Sequence, residues 1–231
     1  MSQSVATQMR PKGVPTQLDE VGPGLDAEVI RRALQAGQAA ARRTRPAHPR
    51  NYAGLTATAE ATAVLREELE SKGWTPYYKD GINGALHPDG SVMIMLVPGD
   101  RMTGDSGRKP RSKRRGPRGI ELIDANQLSL FPDLFPRNEK RITTWYVLNH
   151  HDRRDGEIRI EVALPKTYDG EHRVCDWEQR FILEPLSLGT VDPSTPAVEF
   201  DSDENPANDP IDVPVEPIDG AFDSDHEPSK D

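Results

Sequence analysis

Residues 141–186 constrain the fold more than any other stretch of this chain. Arg141 to His150 alternates and is rich in Thr, Trp, Tyr and Val, and Glu157 to Leu164 carries Ile158, Ile160, Val162 and Leu164 at every second position. A period of two puts those four side chains on one face of a strand. Arg153-Arg154-Asp155-Gly156 and Tyr168-Asp169-Gly170-Glu171 supply turns on either side, and Trp177 to Leu186 gives a third strand. Three strands joined by short turns predict an antiparallel meander with one buried face.

A second β-forming block lies upstream. Trp74 to Lys79, Gly81 to Leu86 and Ser91 to Val97 read as strands, the last two joined by the turn residues His87-Pro88-Asp89-Gly90. Gly81-Ile82-Asn83-Gly84 has the spacing of the loop that clamps nucleic-acid backbones in KH domains. It sits among strands rather than between two helices, so we read it as strand. A helix is expected before it, capped by Thr56 or Thr58, with Ala61, Val64, Leu65 and Leu69 on one face and Gly73 as its left-handed stop. An earlier helix is expected from Asp26 to about Arg43. Its thin stripe is Leu25, Val29, Ala33, Leu34 and Ala40, Glu28 pairs with Arg32 at i,i+4, and Arg42, Arg43, Arg45 and Arg50 make its end basic. Residues 1–24 carry Pro11, Pro15 and Pro23 without apolar periodicity and read as disordered.

The two β blocks are separated by a connection of about 40 residues, Pro98 to Lys140, and connections that long are usually functional or disordered. Up to about Gly119 it is polar. Arg101, Arg108, Lys109, Arg111, Lys113, Arg114, Arg115 and Arg118 stand there against Asp100 and Asp105. Such a segment suits contact with nucleic-acid phosphates through counterion release. The net charge of −9 hides this, because Asp192 to Asp231 holds thirteen Asp and Glu against one Lys. Without that tail the chain is mildly basic, and a mobile acidic tail would compete with DNA for the basic segment.

Within the same connection, Gln127-Leu128-Ser129-Leu130-Phe131 resembles the consensus of the short peptide by which bacterial polymerases and repair proteins grip the DNA sliding clamp. All five positions match. The resemblance implies that Gln127 hydrogen-bonds in a polar subsite, Leu128 braces the backbone, and Leu130 and Phe131 fill a hydrophobic pocket. Pro132 follows directly, which favours an extended peptide suited to a groove. The alternative is that Leu128, Leu130, Phe131, Leu134 and Phe135 cover the protein's own core.

Enzyme signatures are sparse. There is no phosphate-cradling Gly-rich loop, no Gly-x-Ser-x-Gly elbow and no pair of cysteines for zinc. Asn149-His150-His151-Asp152, with His172 across the next hairpin, is the best chemical cluster, but neighbours on a strand face opposite ways. We therefore expect no catalytic residue, metal or cofactor. Cys175 alone excludes an intramolecular disulfide and fits a reducing cytoplasm, and we read it as a buried small hydrophobe. No membrane-length apolar run or signal peptide is visible.

With only 35% hydrophobic residues and 21 prolines, the core must be small. We expect an α+β fold, a small antiparallel meander with two or more helices. Residues 1–24 are expected to be disordered, 25–54 a basic helix and linker, 55–188 the α+β domain with a mobile insertion at about 98–138, and 189–231 a disordered acidic tail. The expected function is a non-enzymatic adaptor or modulator on the bacterial DNA polymerase sliding clamp through Gln127, Leu128, Ser129, Leu130 and Phe131. DNA is a second contact through Arg108, Lys109, Arg111, Lys113, Arg114, Arg115 and Arg118. The alternative is a nucleic-acid-binding regulator whose Gln127–Phe131 stretch is structural.

Overall fold

The computed structural model describes residues 17–79, 81–130, 142–152 and 154–188. The acidic tail and most of the N-terminal arm lie outside them. Among the described residues the fold is α+β: three α-helices and one six-stranded, mostly antiparallel sheet. The helices are α1 (Ala27–Ala41), α2 (Tyr52–Glu70) and α3 (Pro117–Leu130). The strands are β1 (Thr75–Lys79), β2 (Ile82–Leu86), β3 (Val92–Pro98), β4 (Thr143–Asp152), β5 (Glu157–Tyr168) and β6 (Val174–Ser187).

The strands lie side by side in chain order, and β3 joins β4 in parallel. The two β blocks are therefore one sheet. The reason lies in β3, whose Met93 to Val97 are all buried and which must be paired on both edges and covered on both faces. Ile94, Leu96, Trp145 and Val147 pack with α1 and α2, while Met93, Met95, Val97, Tyr146 and Leu148 belong to a second core that includes Ile123 of α3. The meander thus has two buried faces where alternation predicted one.

The first helix matches its expected span. The Asp26 carboxylate accepts the Val29 N–H at 2.8 Å, which satisfies one of the orphan donors of the first turn. Burial alone would raise the Asp26 carboxyl, but Lys72 at 2.9 Å and the Val29 amide outweigh it and hold it below its ordinary value. Arg32 pairs with Glu68 of α2, bidentate at 2.6 and 2.9 Å, and Glu28 lies nearest Arg31. This corrects the Glu28–Arg32 pairing. Gly37 is where the helices cross: a Cβ there would overlap the Ala57 carbonyl oxygen and stand 2.9 Å from Ala61 Cβ.

Other expectations also change. The second helix begins at Tyr52, because the Thr58 and Thr62 hydroxyls bond back to the carbonyls of Gly54 and Thr58, inside the helix, and do not cap it. Gly73 does stop it, at φ +91. Residues 17–24 are ordered: Leu18 and Val21 are buried, and the Trp74 indole donates to the Pro23 carbonyl at 2.9 Å. Residues 25–54 form no separate linker, since α1 is part of the first core. Ile82-Asn83-Gly84 lies in β2 and pairs with β1.

Candidate functional site

The basic segment is folded, which corrects the expectation of a mobile insertion as far as Leu130. Ser112 bridges to Gly99, and the Lys113 N–H donates to the Pro98 carbonyl at 3.0 Å, so the segment extends the edge of β3. Its other side is bound to β6, through Ser112 N–H to the Val174 carbonyl at 3.0 Å and the Trp177 indole N–H to the Pro110 carbonyl at 2.9 Å. The anchor is an ion pair. Glu161, fully buried, accepts from Arg180 at 2.6 Å and from the Gly104 amide at 3.1 Å, and Arg180 also donates to the carbonyls of Arg108 and Asp105. Composition gives no hint of this, because the partners come from the meander.

The predicted phosphate-contacting residues divide into two groups. Arg108, Lys109, Arg111, Arg114 and Arg118 are exposed. Four of them stand near carboxylates: Arg108 near Asp105 (3.8 Å), Lys109 near Asp176 (2.5 Å), Arg111 near Asp169 (4.0 Å) and Arg118 near Glu121 (2.7 Å). Exposed pairs of this kind contribute about 0–1 kcal/mol, so a phosphate can replace the carboxylate at small cost. Lys113 and Arg115 are turned onto the protein. The Arg115 guanidinium lies 5.6 Å from the centroid of the Tyr146 ring, and burial pushes the Tyr146 phenol up.

The clamp-type stretch stands at the end of α3. Ile123 is fully buried in the second core. Asn126 exchanges two hydrogen bonds with the Thr144 backbone, Nδ2 donating to the carbonyl at 2.9 Å and Oδ1 accepting the amide at 2.8 Å. The backbone of 127–130 continues the helix, which replaces the expected extended course, and Phe131 lies outside the described residues. Pro117 at the first helical position is the signal that reveals this helix.

The histidines do not assemble a metal site. The Asp152 carboxylate accepts the amides of Arg154 and Asp155 and pairs with Arg159 at 2.8 Å. His172 lies past the far end of β5, on the order of 30 Å along the strand from His150. Among the described residues no group of three His, Cys, Asp or Glu side chains is placed to hold a metal ion. Cys175 is half-buried on β6 and not part of the core.

A cavity of about 120 Å3 lies between α1, α2 and the carboxyl ends of β3 and β4. Gly37, Gly54 and Ala57 of the helices line it on one side, and Lys113, Asn149, His150 and His151 stand at its sheet end. Burial lowers both the Lys113 ammonium and the His150 imidazole from their ordinary values. The sequence assigns Lys113 to DNA because the run around it is basic. Its place beside Pro98 follows only from the Gly99–Ser112 bridge.

No family model, curated protein or solved structure is significantly similar to this chain. No helix among the described residues is long and apolar enough to cross a membrane.

Proposed function

We propose that the protein is a non-enzymatic adaptor that docks on the bacterial DNA sliding clamp through Gln127–Phe131, with sequence-independent DNA contacts from the basic segment. The observation that carries this reading is the placement of residues 127–130, the first four of the motif, at the end of a helix whose position is fixed by Ile123 and Asn126. Arg118 and Gln127 are separated by about 14 Å of helix. Docking an extended peptide requires the last turn of α3 to unwind, a modest cost because terminal turns hold the fewest hydrogen bonds.

Calorimetry with purified clamp tests the proposal. Micromolar affinity is expected, about −8 kcal/mol. Leu130→Ala with Phe131→Ala should remove most of it, because apolar anchors carry hot-spot energy. Absence of heat at high micromolar clamp, or unchanged binding by the double variant, overturns it. The helical course of 127–130 favours the second reading, in which the stretch is structural and the protein is a nucleic-acid-binding regulator. In that case the double variant loses stability and no clamp binding is seen.

A further inference from the structure

We propose that the cavity beneath α1 and α2 is a binding site for a small free anion of phosphate size, held by the Lys113 ammonium. Lys113 lines it because the Gly99–Ser112 bridge sets it beside Pro98, which is in register with Asn149 on β4. Its side chain makes no hydrogen bond or ion pair among the described residues. A half-buried ammonium without a counter-charge is destabilising, and natural proteins pair such groups. Among the described residues no carboxylate lines the cavity, while Lys113, Asn149, His151 and Thr58 bring a full positive charge and polar groups. The Thr58 hydroxyl already donates to the Gly54 carbonyl at 2.9 Å and Asn149 Nδ2 donates to the Val97 carbonyl at 3.4 Å, which leaves the Lys113 ammonium as the principal donor, with the second N–H of Asn149 beside it.

Size defines the ligand. At about 120 Å3 the cavity holds an oxyanion such as phosphate, or a small carboxylate with one water. It is well below the roughly 300–1,000 Å3 of sites that enclose drug-sized ligands, so it does not enclose a nucleotide. The walls are α1, α2 and the carboxyl ends of β3 and β4, and none of the exposed arginines lines them. This site is therefore separate from the exposed arginines, and its existence does not depend on clamp docking.

The test titrates inorganic phosphate, and in a second arm acetate, into the full-length protein at constant ionic strength with chloride as the reference. Thermal melting and the His151 ring resonances are followed. Phosphate is expected to raise Tm saturably by a few degrees and to shift the His151 signals at millimolar concentration. Lys113→Met should weaken the effect at least about tenfold, because a charge-assisted contact is lost. Asn149→Asp places a carboxylate in the same cavity as an internal counter-ion and should abolish it. The acetate arm tells whether the site prefers a tetrahedral or a planar anion. A short oligonucleotide should not compete with either. No saturable response in the unaltered protein up to about 20 mM, a range that covers weak millimolar sites, overturns the proposal. So do His151 signals that stay fixed while Tm rises, or a folded variant of either kind that binds phosphate like the parent. If Lys113→Met does not fold, the unaltered protein and Asn149→Asp suffice to decide.

Discussion

Asn126 and Thr144 exchange two hydrogen bonds of the kind a neighbouring strand would make. The pairing of β4 with β5 ends at Tyr146–Ala163, and the position that would face Thr144 is Pro165, which has no N–H to offer. The side-chain amide of Asn126 takes over both the donor and the acceptor role. It thereby fixes α3 to the sheet.

Replacing Asn126 with Leu leaves a buried N–H and a buried carbonyl of Thr144 without partners. The expected loss is about 2–6 kcal/mol, from two unsatisfied groups at about 1–3 kcal/mol each. Asn126→Asp should also destabilise, because a carboxylate cannot donate to the Thr144 carbonyl. Urea unfolding measures both. A loss below ~0.5 kcal/mol for the Leu variant, the scale of ordinary surface changes, would mean that α3 is held by its apolar contacts alone.

Glu161→Gln removes the charge that faces Arg180 and weakens the acceptor for the Gly104 amide. Breaking a buried pair from one side costs about 3–5 kcal/mol when the remaining charge is fully buried. Arg180 is 17% exposed, so the lower part of that range is expected. Hydrogen exchange should accelerate at Gly104 and along 100–112 before it changes in β3. Uniform acceleration across the protein would show that the ion pair does not hold this segment in particular.

Gly37→Ala forces a methyl group into the Ala57 carbonyl oxygen and the Ala61 side chain. Overpacking of this kind costs about 1–3 kcal/mol, far more than the small gain in helix propensity. Thermal melting of the variant should show a clear drop in Tm. A rise in Tm would require the helices to part at the crossing without loss.

Burial is the chief reason that the His150 imidazole is held below its ordinary value of 6.5, and the Gly99 carbonyl and the carboxylates of Asp152 and Asp100 only partly offset it. With the folded value depressed, the unfolded chain takes up the proton first as the pH falls. Stability from His150 is then complete above 6.5 and declines from there down to the folded value. Tm measured between about pH 7.5 and 5, the range in which histidine titrates, should fall, and His150→Gln should flatten the decline. Identical pH profiles for parent and variant would remove His150 from the account.

Salt dependence of DNA binding separates the two groups of basic residues. Replacing Arg108, Lys109, Arg111 or Arg118 with Gln should each reduce the log–log salt slope by about one. Lys113→Gln should leave the slope unchanged, because that side chain faces the cavity. Electrophoretic or fluorescence titrations at several salt concentrations measure the slope. A slope that falls only with Lys113→Gln would reverse the assignment.

The strands were legible because period-two alternation and turn residues such as Asp89-Gly90 and Asp155-Gly156 are local signals. Local signals also placed α1, through the stripe of Leu25, Val29, Ala33 and Leu34, and the end of α2, through Gly73, whereas the Asp26 cap appeared only in the structure. What stayed hidden depends on distant partners. The parallel seam of β3 and β4 joins residues some 50 positions apart, and the basic segment folds only because Glu161 and Arg180 meet it. Asn126 reads as an ordinary polar residue until Pro165 leaves its strand position unfilled. Lys113 sits among arginines in sequence, and only the backbone pairing of 99 with 112 turns it inward. The clamp-type motif is legible in five residues, and its helical backbone comes from Pro117, ten positions earlier.

The parallel seam has a consequence for the order of synthesis. On the ribosome β3 emerges about 45 residues before β4, and at roughly 5–20 residues per second that interval lasts several seconds. Throughout it the nascent protein carries Val92–Pro98, apolar on both faces, with one edge open for pairing. The neighbouring hairpin protects only the β2 side. Co-translational capture of this edge by a chaperone, or its misjoining to another nascent chain, competes with the arrival of β4.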